Sequence, residues 1–254
     1  MPRSVLITGA MGRIGSVLTA YLDAVDADAY ALRLGDIRDI RDSQARGVSL
    51  DVTDLAACRA ACVGIDTVVH LAGIPDPDTP FELLLPNNIV GTYHLFRAAA
   101  DAKVRRVVFA SSAQVTEGYP LDVQIRSDMP VRPKNLYGVS KAFGEAAGAY
   151  FAYQEGLEVI AVRIGAFQYA RDWTWLSARD LSAWVEPNDL CQLLQHCIEA
   201  DLGEEPFAIA HGISDNRFKR LDLSETRLRF GYAPTADAFS TWNLGLKAQS
   251  KSST

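Results

Sequence analysis

The sequence predicts a doubly wound α/β fold, a parallel sheet held between two layers of helices. Three observations predict it. Short β-branched runs alternate with longer helix-like stretches through about residue 165. The runs Val68-Val69 and Val107-Val108-Phe109 are apolar without alternation, as strands covered on both faces require. A glycine-rich turn, with Gly9, Gly12 and Gly15 spaced by three, separates the first strand from the first helix. Composition agrees: 48% of the 254 residues are hydrophobic and 22% charged, which excludes a disordered chain, a collagen-like repeat and a disulfide scaffold.

Taken in order, the first strand is Ser4–Thr8, carried by Val5-Leu6-Ile7. It leads into a helix over 12–24 whose one face presents Ile14, Val17, Leu18, Tyr21 and Leu22. Ala29–Gly35 and Gly47–Leu50 read as the second and third strands, followed by a helix over 53–62 and a fourth strand at Thr67–Leu71. A helix is expected over 86–102. Pro86 lies inside the helical pattern Phe81–Ala100, where it predicts a break or a helix start. Arg106–Ser111 is the fifth strand, 135–154 the long helix after it, Glu158–Ile164 the sixth strand and 188–200 a further helix.

After Ile164 the rhythm changes. Phe167, Tyr169, Trp173, Trp175 and Trp184 crowd residues 166–185 without a clean period. Such a segment reads as a lid or binding loop, or else as an aromatic mini-core or dimer contact. The polar tail Lys247–Thr254 reads as a frayed, disordered end. The expected division is therefore 1–165 for the nucleotide domain with the catalytic residues, 166–246 for a small substrate-binding extension of the same compact unit, and 247–254 for the tail.

Charge and cysteine usage narrow the function. Twenty-five basic against 31 acidic residues give a net charge of −6, so neither nucleic acid nor an anionic membrane is a favoured partner. Cys58, Cys62, Cys191 and Cys197 form no zinc pattern with the four histidines, so no metal is expected and the thiols read as buried in a reducing compartment. No stretch approaches the roughly 18 apolar residues of a membrane span, and no leader is evident, which points to the cytoplasm.

The glycine turn suits a dinucleotide. Gly9 allows the tight turn, Gly12 the approach of backbone to a pyrophosphate, and Gly15 close packing of helix on strand, while the helix N-terminus offers N–H groups to the phosphates. Asp36 stands 21 residues after Gly15, at the end of the second strand. A carboxylate there accepts from the adenosine ribose hydroxyls and repels a 2′-phosphate, favouring NAD over NADP. Arg33, Arg38 and Arg41 lie nearby, and Arg38 either borders the adenine or keeps NADP open. Asp51 and Val52 close the third strand against the adenine edge, and Leu71-Ala72-Gly73 lets backbone lie against a ribose. Tyr137 and Lys141 are four apart on one helix face, where an ammonium would lower the phenol toward a usable base. Ser111-Ser112 ends the fifth strand, at the edge where such folds bind ligands.

Together these residues resemble the extended short-chain dehydrogenases/reductases of the sugar epimerase and dehydratase superfamily. The resemblance rests on TGAMGRIG at 8–15, HLAG at 70–73, NIVGT at 88–92, FASS at 109–112, YGVSK at 137–141 and VRIG at 162–165. It implies a Rossmann-type fold and a catalytic triad of Ser112, Tyr137 and Lys141. It implies an NAD site from Gly9, Met11, Gly12, Arg13, Ile14, Gly15, Asp36, Ile37, Arg38, Asp51, Val52, Leu71, Ala72, Gly73, Asn88, Tyr137, Lys141 and Ile164. Asn88 would support the site through the backbone of a neighbouring helix. The helices over 86–102 and 135–154 are those the family pairs across a dimer, which implies a homo-oligomer.

Within that superfamily the chain is similar to NAD-dependent uronate dehydrogenases, through its length, GYP at 118–120, VRIG at 162–165 and the stretch from Arg179 to Trp184. That resemblance implies a substrate site from Pro75, Ala113, Gln114, Ala166 and Arg179. The chain departs from the pattern where Ala113-Gln114 replaces Asn-His and where Pro75 and Ala166 replace serines. Arg179 alone matches, and its planar fork suits a carboxylate or phosphate of the substrate, unless it merely pairs with Asp180 or Glu186. The expected activity is NAD-dependent oxidation of a small sugar or sugar acid. An NAD-dependent epimerase, or a non-catalytic NAD(P) sensor, is the alternative.

Overall fold

The structure is a computed structural model and describes residues 2–25, 28–40, 46–169 and 177–243. The elements begin β1 (Arg3–Thr8), α1 (Arg13–Val25), β2 (Tyr30–Asp36), β3 (Gly47–Ser49), α2 (Leu55–Cys62) and β4 (Thr67–His70). Next come α3 (Phe81–Leu84), a π-helical turn at Leu85–Val90, α4 (Gly91–Asp101), β5 (Arg106–Ser112), a 3-10 turn at Ala113–Thr116, α5 (Leu136–Glu155) and β6 (Glu158–Ile164). The rest comprises β7 (Ala166–Phe167), α6 (Ala178–Ala183), β8 (Trp184–Val185), α7 (Pro187–Glu199), β9 (Phe207–Gly212), α8 (Ser224–Phe230) and α9 (Ala238–Thr241).

Seven parallel strands form the main sheet in the order β3-β2-β1-β4-β5-β6-β9. Strand periodicity divides the core between its faces. Val5 and Ile7 pack with Leu18 and Leu22 of α1 and Leu190 and Leu194 of α7. Leu6, between them, packs with Cys58 and Cys62 of α2, Leu95 and Phe96 of α4 and Phe151 of α5. Burying both faces requires the continuous apolar runs seen in β4 and β5, every residue of which is buried. The strand order reverses between β1 and β4, and a crevice at such a switch point is where open α/β sheets bind ligands.

The six expected strands and five expected helices form within a few residues of their predicted ends. Pro86 is the exception. Instead of a break or a start, the chain runs helically from Phe81 to Asp101, and Pro86 sits in the π-helical turn. The Gly91 N–H donates to Pro86 O, five residues back, so the ladder resumes without a donor from the proline. The sheet also continues past residue 165. β9 is a seventh strand that sequence patterning misses, because its small residues Ala208, Ala210 and Gly212 carry little strand preference.

In the aromatic-rich segment, Trp184 is fully buried, packs with Leu181 and Ala238, and meets Trp242 edge-on at 4.9 Å, as the mini-core reading expects. Trp173, Trp175, Arg41 and the tail lie outside the described residues. No helix is long and apolar enough to cross a membrane among the described residues.

Candidate active site

The glycine turn leaves β1 at the switch point. Gly9 has φ +67°, and a Cβ there would stand 2.8 Å from Ala72 N, so the turn and the loop after β4 press together. A Cβ at Gly15 would lie 2.4 Å from Gly9 O, so α1 packs directly on the turn. The turn is also clasped from the side. The Met11 N–H donates to Asp36 Oδ2 at 2.9 Å, and Arg38 closes on Asp36 through its N–H and both arms of its guanidinium at 3.0–3.2 Å. Asp36 is buried, yet these donors hold its carboxyl below the usual carboxylate range. It therefore stands ionised at the end of β2. Arg13 turns toward Phe167 O and the Gln168 side chain, tying the turn to β7, while Ile37 is exposed and Ile14 half-buried.

Asp51 accepts from the N–H and hydroxyl of Thr53, Val52 is buried against Gly91, and Leu71 and Ala72 hang from Thr8 through its carbonyl and hydroxyl. A depression of about 270 Å³ lined by Ile37, Arg38, Ile40 and Val48 lies at the β2–β3 edge, not at the serine and tyrosine described next.

Adjacent serines at the end of β5 point to opposite sides, as strand geometry dictates. Ser111 donates to Glu145 at 2.6 Å inside the protein. Ser112 accepts from the Gln114 N–H at 3.2 Å and lies close enough to the Tyr137 phenol to lower its pKa. The sequence order of the pair cannot distinguish them by chemistry; the fold does. Ser112 aligns with Ile164 of β6, whose next residues lead to Ala166, so these and the buried Ala113 line one stretch of the sheet's carboxyl edge.

Tyr137 enters from α5, whose start is fixed by Asn135: its side-chain oxygen accepts from the Gly138 N–H, and its amide nitrogen donates to Gln114 at 2.8 Å. Lys141, one turn on, lies 5.7 Å from the Tyr137 ring centroid and 5.1 Å from that of Phe109. The expectation of a phenol lowered by this ammonium fails here. Burial pushes Tyr137 up to about 12, against the lowering influence of Ser112, and pushes Lys141 down to about 8. Both side chains are more than nine-tenths buried, and desolvation of each charged form is the largest cause of its shift.

Asn88 also differs from expectation. It clamps Ile74 through both backbone groups, accepting from its N–H at 2.8 Å and donating to its carbonyl at 3.0 Å. It reaches α5 through the Ser140 hydroxyl at 3.2 Å, and Ser140 in turn donates to Tyr137 O at 2.7 Å. The π-helical turn directs Asn88 to the loop after β4 rather than to helix backbone. That loop carries Gly73, where a Cβ would stand 3.8 Å from Lys141 Nζ, and the exposed Pro75.

The fork of Arg179 is filled by the protein itself. Its Nε and Nη2 donate to the two oxygens of Glu117 at 3.0 and 2.8 Å, and Nη1 reaches Asp180 at 3.5 Å. Glu186 instead caps α7. Glu117 was not among the expected site residues, nor was Glu145, which takes a bidentate hydrogen bond from Arg163 at 2.8 and 2.9 Å beneath Ser111. Glu145 lies four residues beyond Lys141, so its spacing on the buried face of α5 is the signal that would have found it. No cluster of metal-ligating side chains occurs among the described residues, and the four cysteines are buried and free, their thiols pushed up to about 12 by burial.

Residues 5–167 match the model of the NAD dependent epimerase/dehydratase family. The chain is 37% identical to NAD-dependent glucose-6-phosphate dehydrogenase of Haloferax volcanii, over 92% of this chain and 94% of that one. It is equally 37% identical to L-arabinose 1-dehydrogenase (NAD(P)(+)) of the same organism, over 91% and 95%. Among solved structures, a mutant of uronate dehydrogenase from Agrobacterium tumefaciens complexed with NAD superposes with a TM-score of 0.81 at 30% identity, covering 99% of this chain and 93% of that one.

Proposed function

The chain belongs to the NAD dependent epimerase/dehydratase family, and from that premise we propose that it is an NAD-dependent dehydrogenase oxidising a small sugar or sugar acid at its hemiacetal carbon. The observation that carries the reading is the convergence of Ser112, Tyr137 and Lys141 at the carboxyl edge of the sheet, beside the glycine turn. The names of the three relatives given above, each a sugar or sugar-acid dehydrogenase, support the substrate class.

The residues present fit the dinucleotide. A side chain at Gly9 or Gly15 would fill the turn that faces the N-terminus of α1, and the ionised Asp36 ends β2 where an adenosine ribose would lie. Gly9, Met11, Gly12, Arg13, Ile14 and Gly15 would hold the phosphates, with Asp36, Ile37, Arg38, Asp51 and Val52 around the adenosine. Leu71, Ala72, Gly73, Asn88 and Ile164 would flank the second nucleoside. NAD, when bound, supplies the hydride acceptor.

The chain's own groups manage the proton. Tyr137 acts as the phenolate that burial disfavours: once its own proton has passed to solvent, Oη receives the substrate hydroxyl proton, and Ser112 Oγ steadies that oxygen by hydrogen bonding. Lys141 is protonated at neutral pH, with its pKa near 8, so it would hold the second ribose and stabilise the Tyr137 phenolate that exists before the proton is transferred. Pro75, Ala113, Gln114 and Ala166 border the substrate. The exposed apolar side chains Phe81, Leu83, Tyr93, Leu136, Val139 and Tyr150 on α3, α4 and α5 support a homo-oligomer, and the free thiols support the cytoplasm.

The test is a panel of aldoses, aldose phosphates and uronic acids with NAD, scored by NADH absorbance. At least one sugar should give NADH, and Tyr137→Phe should lower kcat by about 100- to 10,000-fold while NAD affinity persists. Full turnover by Tyr137→Phe overturns the assignment of the base. Epimerised sugar without NADH overturns net oxidation.

A further inference from the structure

We infer that Glu117 is a specificity-determining residue that masks Arg179, so that the substrate is a neutral aldose rather than a uronate or a sugar phosphate. The inference deepens the dehydrogenase reading and rests on it for the reaction, but not for the charge argument.

Glu117 immediately follows the 3-10 turn Ala113–Thr116 that Ser112 caps, and its N–H donates to Gln114 O within that turn. Gln114 itself touches both Ser112 and Asn135, the cap of the helix that bears Tyr137. Arg179 lies on α6, whose last residue, Ala183, abuts Gly165 at the end of β6: a Cβ on Gly165 would meet Ala183 O. The Glu117–Arg179 pair thus spans from the turn after Ser112 to the element packed on the end of β6.

The pair is closed. Two parallel hydrogen bonds join the guanidinium to the carboxylate, the strongest geometry available to these groups, and the side chains are only 19% and 10% exposed. Asp180 adds a second carboxylate at 3.5 Å. Among the described residues, Arg220 also lies near the pair, and it is engaged by the carbonyls of Tyr119, Pro120 and Val123. A substrate anion approaching Arg179 would meet two carboxylates already there. Displacing Glu117 would leave a largely buried carboxylate without its partner, a costly exchange. Neutral hydroxyls meet no such penalty, and they find acceptors and donors in Gln114 and Ser112.

The experiment compares galactose with galacturonate, and glucose with glucuronate and glucose 6-phosphate. It uses kcat/KM with NAD and, independently of turnover, calorimetric binding of each sugar to the protein loaded with NADH, which cannot accept a hydride. Wild-type protein should favour the neutral sugar in each set by at least tenfold. Glu117→Gln keeps the shape and one oxygen acceptor but removes the charge. It should shift the uronate-to-aldose ratio of kcat/KM at least tenfold toward the uronate, mainly through KM. Adding Arg179→Ala to that variant should cancel the shift. Because the readout is a ratio within one protein sample, partial misfolding does not alter it. NADH from no sugar, with the binding preference intact, sinks the redox reading and leaves this inference standing. Wild-type preference for the uronate or the phosphate, an unchanged ratio in Glu117→Gln, or binding of no sugar overturns it.

Discussion

Replacing Lys141 by Met should stabilise the cofactor-free protein while ruining its function. The lysine is 7% exposed, and burial lowers it from its ordinary 10.5 to about 8. At about 1.4 kcal/mol per pH unit, the charged form costs the fold about 3 kcal/mol at pH 7. The rings of Phe109 and Tyr137, at 5.1 and 5.7 Å, return part of this, about 1 kcal/mol each. The net gain for Lys141→Met is thus about 1–2 kcal/mol, or roughly 2–8 °C in Tm for a chain of this size. The pH dependence has a definite sign. Because the folded pKa lies below the unfolded one, the unfolded state binds more protons between pH 8 and 10.5. Wild-type stability therefore gains on that of the variant across this window, and the gap closes by its upper end. Urea unfolding of both proteins at pH 7 and pH 10, without NAD, measures this. A variant less stable than wild type at pH 7, or a gap independent of pH, would refute the reasoning. Turnover and NAD affinity should both fall in the variant.

Asp36→Asn should preserve an acceptor for the Met11 N–H and remove the charge that repels a 2′-phosphate, so the NAD/NADP ratio of kcat/KM should fall by about tenfold, at about 1.4 kcal/mol; an unchanged ratio would count against its role. Glu145→Ala leaves Arg163 buried without its carboxylate and should cost about 3–5 kcal/mol in urea unfolding. A loss under 1 kcal/mol would mean that the pair is not what pins α5 to β5 and β6.

Much of this was legible in the sequence for local reasons. Val68-Val69 and Val107-Val108 announce strands covered on both sides because nothing polar interrupts them, and Gly9 to Gly15 announce a turn no bulkier chain could make. What escaped depends on partners far apart. Arg179 and Glu117 are 62 positions distant, and neither carries a pattern that names the other. Asn88 joins Ile74 and Ser140 only because the helix before α4 departs from α geometry, which Pro86 hints at but does not specify. The direction of the Tyr137 shift escaped for a different reason: spacing puts a cation on the right face, but only burial says how strongly both charges resist leaving water.

The π-helical turn has a consequence for how this chain tolerates change in length. A turn that bonds five residues back accommodates one residue more than an α-helical turn, and each residue of an α-helix advances about 100° around the axis. Phe81–Leu84 and α4 are therefore out of phase with one another by that angle. Losing any single residue between Leu85 and Val90 would favour regular α-helical spacing through the segment, swing the preceding turn around the axis and carry the Asn88 amide off Ile74. Side chains along this stretch are exchangeable in a way that the count of residues is not, and the loop bearing Gly73 keeps its distance from Lys141 by that count.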